Sequence, residues 1–293
     1  GPRFQRHVFS LVRIAIPMKT EHWNVFLSRL KAALTGALLA LLALRPQEAM
    51  SAARASCGMW AAAVLPALFP YLVLSRLLAQ TASGGVLAVP VAMLAGSPAG
   101  ARLLALSERG ADAQRKAALC ATASPLFLLG TLEGGAKMVA AHWLGALAAC
   151  GFATLLAPHA KQTAPSVPAE QATLSEIIAD SALAMLSVCG CMVFFSVLLA
   201  LAESFVPLSP AVRAALAAFL EMAGGCARIR ALGLPDEPAK ALLGAAVSFG
   251  GLSVFWQNAR YLREADVDLR LQFASKLVHA AAAYGAYRLL ATL

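Results

Sequence analysis

The chain has 293 residues, of which 60% are apolar and 13% charged, with a mean hydropathy of +0.71 and a formal net charge of +9. Soluble domains carry roughly 25% charged residues, and a chain this apolar cannot hide its surface in one water-facing core, so lipid is the expected solvent for much of it. The positive balance does not point to nucleic acid: the basic residues sit at the ends of apolar runs, form no aromatic-interleaved patch, and serve as membrane-flanking anchors.

Gly1-Pro2 matches the pair a processing protease leaves behind, and Met18 offers a native start, so residues 1–17 are set aside from the fold. The run Leu34–Leu44 has the length of a signal-peptide core. Arg45-Pro46-Gln47-Glu48 and further apolar segments follow it, so a retained first transmembrane helix is expected. A span needs about 20 residues. Apolar stretches on that scale fall near 28–45, 55–80, 86–106, 115–132, 137–157, 176–204, 211–232, 240–258 and 273–291. A polar linker, His159 to Ser175, ends in Thr173-Leu174-Ser175-Glu176, a capping-box pattern. Ser209-Pro210 announces another helix, with Pro at its first position. The expected organisation is an N-terminal tag or juxtamembrane segment (1–27), a first membrane repeat (28–157), the polar linker (158–175), and a second membrane repeat with a terminal helix (176–293).

Two stretches are not simple spans. Gly96-Ser97-Pro98-Ala99-Gly100 interrupts 86–106, and Ala223-Gly224-Gly225 interrupts 211–232. The flanks are about ten residues each, too short to cross alone. The segments that follow also carry breaks, Thr122-Ala123-Ser124-Pro125 and Ser248-Phe249-Gly250-Gly251. Irregular backbone at membrane depth is tolerated where it is buried in protein or lines a cavity, and interrupted segments at matching places in two halves point to a transporter's binding site.

A shift of 126 residues lays Ala92-Met93-Leu94 on Ala218-Phe219-Leu220, and lays Ala101-Arg102 on Ala227-Arg228. The same shift lays Thr122-Ala123-Ser124-Pro125 on Ser248-Phe249-Gly250-Gly251. If 86–106 and 211–232 are re-entrant hairpins, three crossings separate them and the second repeat is inverted relative to the first. With the N-terminus inside, 16 of the 24 lysines and arginines fall on the cytoplasmic side, the direction of the positive-inside rule. The expected fold is therefore all-α: a polytopic membrane protein with an inverted repeat, two re-entrant helical hairpins and two broken transmembrane helices.

Each candidate functional residue has a structural alternative. Arg102 and Arg228 follow the hairpin breaks, where half-helix N-termini point positive dipole at a ligand, and a guanidinium fork suits a carboxylate. The alternative is that they snorkel to the interface. Glu221 lies in an apolar run, where a carboxylate costs about 2.5–3.5 kcal/mol on insertion scales. It serves a substrate or coupling ion, or a structural pair with Arg228 or Arg230. Ser97, Thr122, Ser124, Ser248 and Ser253 offer hydroxyls beside freed carbonyls, whereas Gly96-x-x-x-Gly100 and Gly130-x-x-x-Gly134 also read as helix-packing motifs. Gln257-Asn258 either binds polar ring atoms or marks the interface. Trp60, Trp143 and Trp256 fit belt or packing roles, and His142 and His279 stand isolated on helical faces. The six cysteines lie in or beside apolar segments without zinc spacing and act as small hydrophobes. The candidate solute site comprises Ser97, Gly100, Arg102, Thr122, Ser124, Glu221, Gly224, Arg228, Ser248, Gly250, Ser253 and Gln257. No metal site, cofactor or nucleic-acid partner is expected. The expected partners are a small-molecule solute and the lipid bilayer, with homo-oligomerisation open. Enzyme motifs are absent, and Asp180 is the only aspartate in a predicted span, so no intramembrane aspartate pair exists.

The segments Gly96-Ser-Pro-Ala-Gly-Ala-Arg102, Ala123-Ser-Pro-Leu-Phe127, Leu220-Glu-Met-Ala-Gly224 and Ser248-Phe-Gly-Gly-Leu-Ser253 resemble the YlbJ-like sporulation integral membrane proteins. These belong to the nucleoside-recognition, or gate-domain, group. The resemblance runs from about residue 30 to the end. Ser97 stands where the family leads one to expect an aromatic, and Ala223 where it leads one to expect a hydroxyl. The resemblance implies an architecture like that of concentrative nucleoside transporters and a role in moving dipicolinic acid during sporulation. It also implies a place in the bacterial cell membrane or the membrane surrounding the forespore. A nucleoside-like solute and a non-transporting scaffold or assembly role are the alternatives.

Overall fold

The structure is a computed structural model that describes residues 20–80, 84–157 and 172–293. The expectations for residues 1–17, for Met18 and for the linker before Ala172 lie outside the described residues. The chain divides into two compact units, residues 1–46 and 47–293. The first contains α1 (Thr20–Leu44). Its apolar stretch Val25–Leu44 is long enough to cross a membrane, and Val25, Phe26, Leu30, Leu34 and Leu39 are all exposed. An apolar stretch of this length with such large side chains exposed suits lipid rather than water.

The second unit is all-helical among the described residues. A 34-residue helix opens it: α2 (Pro46–Met59) continues through a π-helical turn at Trp60–Val64 into α3 (Leu65–Ala79). Short helices follow, α4 (Gly84–Ala95), α5 (Ala99–Ser107) and α6 (Gly110–Cys120), then a π-helical turn at Phe127–Thr131. Two long helices come next, α7 (Gly135–Leu156) and α8 (Leu174–Glu203). The pattern of short helices then returns with α9 (Pro210–Leu220), α10 (Met222–Arg230), α11 (Asp236–Phe249) and α12 (Gly251–Glu264), and α13 (Leu269–Leu290) closes the chain.

Local chemistry starts two of these helices where the sequence says it should. Glu176 N–H donates to Thr173 Oγ1 at 3.3 Å while Thr173 N–H donates to Glu176 Oε2 at 2.7 Å, the reciprocal capping box. Ser209 Oγ accepts from Val212 N–H, and Pro210 occupies the first turn of α9.

Five helical stretches among the described residues are long and apolar enough to cross a membrane: Val25–Leu44, Pro46–Ala79, Gly135–Leu156, Leu174–Glu203 and Asp236–Glu264. The predicted spans at 86–106, 115–132 and 211–232 are each interrupted. The predicted last span, 273–291, is fully helical as α13 but is not among the five. Its buried residues explain why: Gln272, Ser275, Lys276 and His279 recur at helical spacing and face protein, while Leu277 and Leu289 are exposed. The helix is amphipathic with its polar stripe turned inward, as expected where lipid lies outside.

Small residues bring the helices close. A Cβ on Gly145 of α7 would meet His279 O at 2.8 Å and Ala283 Cβ at 2.9 Å, so α7 and α13 pack backbone to backbone. Gly100 of α5 presses on the Cys120 carbonyl at the end of α6, and Gly225 of α10 presses on the Ala218 backbone of α9. Gly130 and Gly134 do not behave as the packing motif their spacing suggested. A Cβ on Gly130 would have only Leu126 Cδ1 nearby, at 3.8 Å, and one on Gly134 would meet only the side chain of Met138. They lie in a π-turn and a loop, where no helical face aligns them.

Candidate solute-binding cavity

All four interruptions converge. In the first half, α4 ends at Ala95 and α5 starts at Ala99, and the intervening Ser97 N–H donates to Thr122 O at 2.6 Å, in the break that follows α6. Gly96, at φ +72°, sits so close to this second break that a Cβ would meet Ser124 N at 2.5 Å. In the second half, the interruption is at Glu221, not in Ala223-Gly224-Gly225, which lies inside α10. The Glu221 side chain explains the difference. Its two carboxylate oxygens accept from Ala223 N–H at 2.9 Å and Gly224 N–H at 2.6 Å, which caps α10 three residues earlier than the glycines suggested. The other break is at Gly250, at φ +86°, and a Cβ on neighbouring Gly251 would meet Met222 N at 3.0 Å. In both halves, therefore, a left-handed glycine lets the two breaks touch.

Between them lies a small cavity of about 40 Å³. Val64, Leu68, Phe127, Val188, Met192, Met222, Val247 and Val254 give it apolar walls, and Ser97, Thr122, Ser124, Glu221, Gln257 and Lys276 supply the polar groups. Six of the predicted site residues thus line one space: Ser97, Thr122, Ser124, Glu221, Gly250 and Gln257. Several already have partners. Asn258 Nδ2 donates to Ser97 Oγ at 3.0 Å, Thr122 Oγ1 donates to Leu119 O, and Ser124 Oγ accepts from Phe127 N–H. Glu221 pairs with neither Arg228 nor Arg230, because both its oxygens cap α10.

The other predicted residues lie elsewhere. Gly100 and Gly224 serve helix packing and capping. Ser253 is buried with its hydroxyl unpartnered. Ser248 is buried against His142 of α7, with Oγ and Nδ1 2.8 Å apart. His142 Nε2 accepts from Ala123 N–H at 3.1 Å, which places the ring proton on Nδ1, where it is donated to Ser248 Oγ. His142 thereby ties a break of the first half to α11 of the second. His142 and His279 are also not isolated: their rings lie 4.7 Å apart, and His279 Nε2 donates to His142 O at 2.9 Å.

Arg102 and Arg228 do not meet in the cavity. Arg102 pairs with Asp180 at 3.2 Å and Arg228 pairs with Glu203 through both guanidinium nitrogens. Asp180 stands near the start of α8 and Glu203 at its end, on the order of 35 Å apart at the helical rise, so one small solute cannot bridge the two arginines. Arg230 reaches across to Leu132 O in the first half.

Sequence reasoning missed the basic residue of the cavity. Lys276 of α13 is 5% exposed, and its Nζ donates to Ala121 O at 3.0 Å. No carboxylate lies within 4.0 Å of it among the described residues. It is the only basic side chain in the lining. The signal was available: a lysine inside an apolar run is a functional-site flag by default.

Compared with protein-family models, curated proteins and solved structures, the chain matches none. The fold and the cavity define the class on their own: an all-helical protein whose long apolar helices fit it to a membrane, with a partly polar cavity among broken helices.

Proposed function

We propose that the chain is a membrane carrier for a small polar solute, an organic anion such as dipicolinate, in a bacterial membrane such as the one surrounding the forespore. The observation that carries the proposal is Lys276, buried in a cavity formed by all four helix breaks, with one carbonyl for a partner and no carboxylate within 4.0 Å among the described residues. An ammonium group so placed is costly unless an anion joins it. The only carboxylate in the lining, Glu221, has both oxygens engaged by backbone N–H groups. The apolar walls suit a ring or chain behind the anionic group.

Duplication supports a carrier over a scaffold. Helices α6 and α11 begin at Gly110 and Asp236, a pair offset by the 126 residues that align the sequence. On this proposal the halves form an inverted repeat, the α4–α5 and α9–α10 pairs are re-entrant hairpins, and alternating access exposes the shared cavity to each side in turn. A nucleoside is the competing solute, favoured by the unpartnered Gln257 Nε2 and Asn258 Oδ1. Reconstituting the full chain in liposomes and offering labelled pyridine-2,6-dicarboxylate, aliphatic dicarboxylates and nucleosides separates these. Saturable anion uptake above protein-free vesicles is expected. Uptake of nucleosides alone, or of nothing, sinks the anion carrier.

A further inference from the structure

A second, larger cavity adjoins the first. It has a volume of about 490 Å³ among α3, α5, α8 and α12, and its walls carry Arg76, Arg102, Asp180, Arg260 and Glu264. Val188 and Gln257 line both cavities, so the two spaces meet there. Gln257 is 9% exposed, and its Nε2 has no hydrogen-bond partner. A buried amide donor left unpaired between two cavities calls for an acceptor from outside the chain.

The charges outside Gln257 are arranged for exchange. Asp180 Oδ2 lies 3.2 Å from Arg102 Nη2 and 3.4 Å from Arg76 Nη1, so one carboxylate oxygen is shared by two guanidinium groups. Each guanidinium carries five N–H donors in a fixed fork, so most of their hydrogen-bonding capacity is unused by Asp180. The Asp180 side chain is 44% exposed, against 21% for each arginine. The replaceable partner is thus the wetter one. With Arg260, three arginines face two acids in this space, a positive excess that attracts anions.

We infer that this cavity is an outer anion site, where a carboxylate of the solute displaces Asp180 from Arg76 and Arg102 before passing Gln257 to Lys276. The inference rests on the carrier proposal for its direction of travel, but the site itself is a binding claim. It takes a solute with at least one carboxylate, held by two guanidinium forks at the antechamber and by a single amine further in.

The test uses the purified full chain in a neutral maltoside detergent and in phosphatidylcholine liposomes, with labelled pyridine-2,6-dicarboxylate as probe. Asp180→Asn removes the internal competitor at nearly constant shape, so binding should tighten and the uptake KM should fall about threefold or more. Arg102→Gln should raise KM about tenfold with kcat nearly retained. Lys276→Met should stop uptake yet leave saturable binding at the outer site. A purely structural ion pair predicts instead that Asp180→Asn weakens binding or leaves it unchanged, and that result overturns the inference. If Arg102→Gln does not fold, the sign of the Asp180→Asn effect decides by itself. A lipid phosphate as the true occupant would show as dicarboxylate binding that ignores Asp180→Asn but falls as phosphatidylglycerol is added, and this also overturns the inference. Uptake lost in Lys276→Met with KM unmoved by Asp180→Asn and Arg102→Gln would sink the outer site and leave the carrier standing. Binding with the expected signs but no uptake by the unaltered chain would do the reverse.

Discussion

The two halves break at offsets near 126 residues, with the helices after the first breaks starting at Ala99 and Met222, and hold their breaks by different means. The first break of the first half has no side-chain cap: its Ser97 backbone donates to Thr122 O, and its hydroxyl accepts from Asn258 of the other half. The corresponding break of the second half is capped by its own Glu221. The glycines that let the breaks touch are also exchanged, Gly96 from the first break in one half and Gly251 from the second break in the other. Both halves thus carry two helix breaks, but the polar groups that hold them differ. The cavity between the breaks is chemically asymmetric, with the one amine in its lining contributed by α13.

If shape is what the halves share, substitutions that disturb close backbone approach should act alike in both, and with the largest effect. Gly100→Ala and Gly225→Ala each push a methyl group into neighbouring backbone that cannot rotate away, Cys120 O and the Ala218 backbone. Each should destabilise by about 3 kcal/mol, read as a clear drop in melting temperature in nanodiscs. Gly130→Ala, with only a side-chain methyl nearby, serves as the control and should be close to neutral. Equal losses for all three would show that the contacts at Gly100 and Gly225 are not special.

If chemistry is what the halves do not share, substitutions at the two first breaks should differ. Glu221→Ala strands two N–H groups that a carboxylate now holds and should cost about 2 kcal/mol. Ser97→Ala removes one neutral hydrogen bond from Asn258 and should cost about 1 kcal/mol or less. Melting curves of the two variants side by side settle the order. A larger loss for Ser97→Ala would mean that the first break, not the second, depends on its side chain.

Much of the frame was legible because it rests on local chemistry. Thr173 with Glu176 and Ser209 with Pro210 start helices by bonds made within one turn, and Gly250 ends one by adopting a left-handed conformation. Ala223-Gly224-Gly225 misled because glycine also serves close packing. Here Gly225 lies against Ala218 while the Glu221 carboxylate sets the boundary. The partners of Arg102 and Arg228 were not legible, since Asp180 and Glu203 are distant in sequence and only tertiary packing brings them near. Lys276 was legible in principle. Gln272, Ser275, Lys276 and His279 recur at i, i+3, i+4 and i+7, a polar stripe within an apolar run, which marks the helix face that turns toward protein.

The central claim is that Lys276 holds the transported anion, and Lys276→Met measured for stability and uptake together tests it most directly. Methionine fills a similar volume and removes a buried charge that the fold satisfies with one carbonyl, so the melting temperature should hold or rise. Uptake of labelled pyridine-2,6-dicarboxylate into proteoliposomes should be lost. A variant that melts earlier while each folded molecule still takes up the anion at the original rate would contradict the account, and would make Lys276 a structural tie between α13 and Ala121.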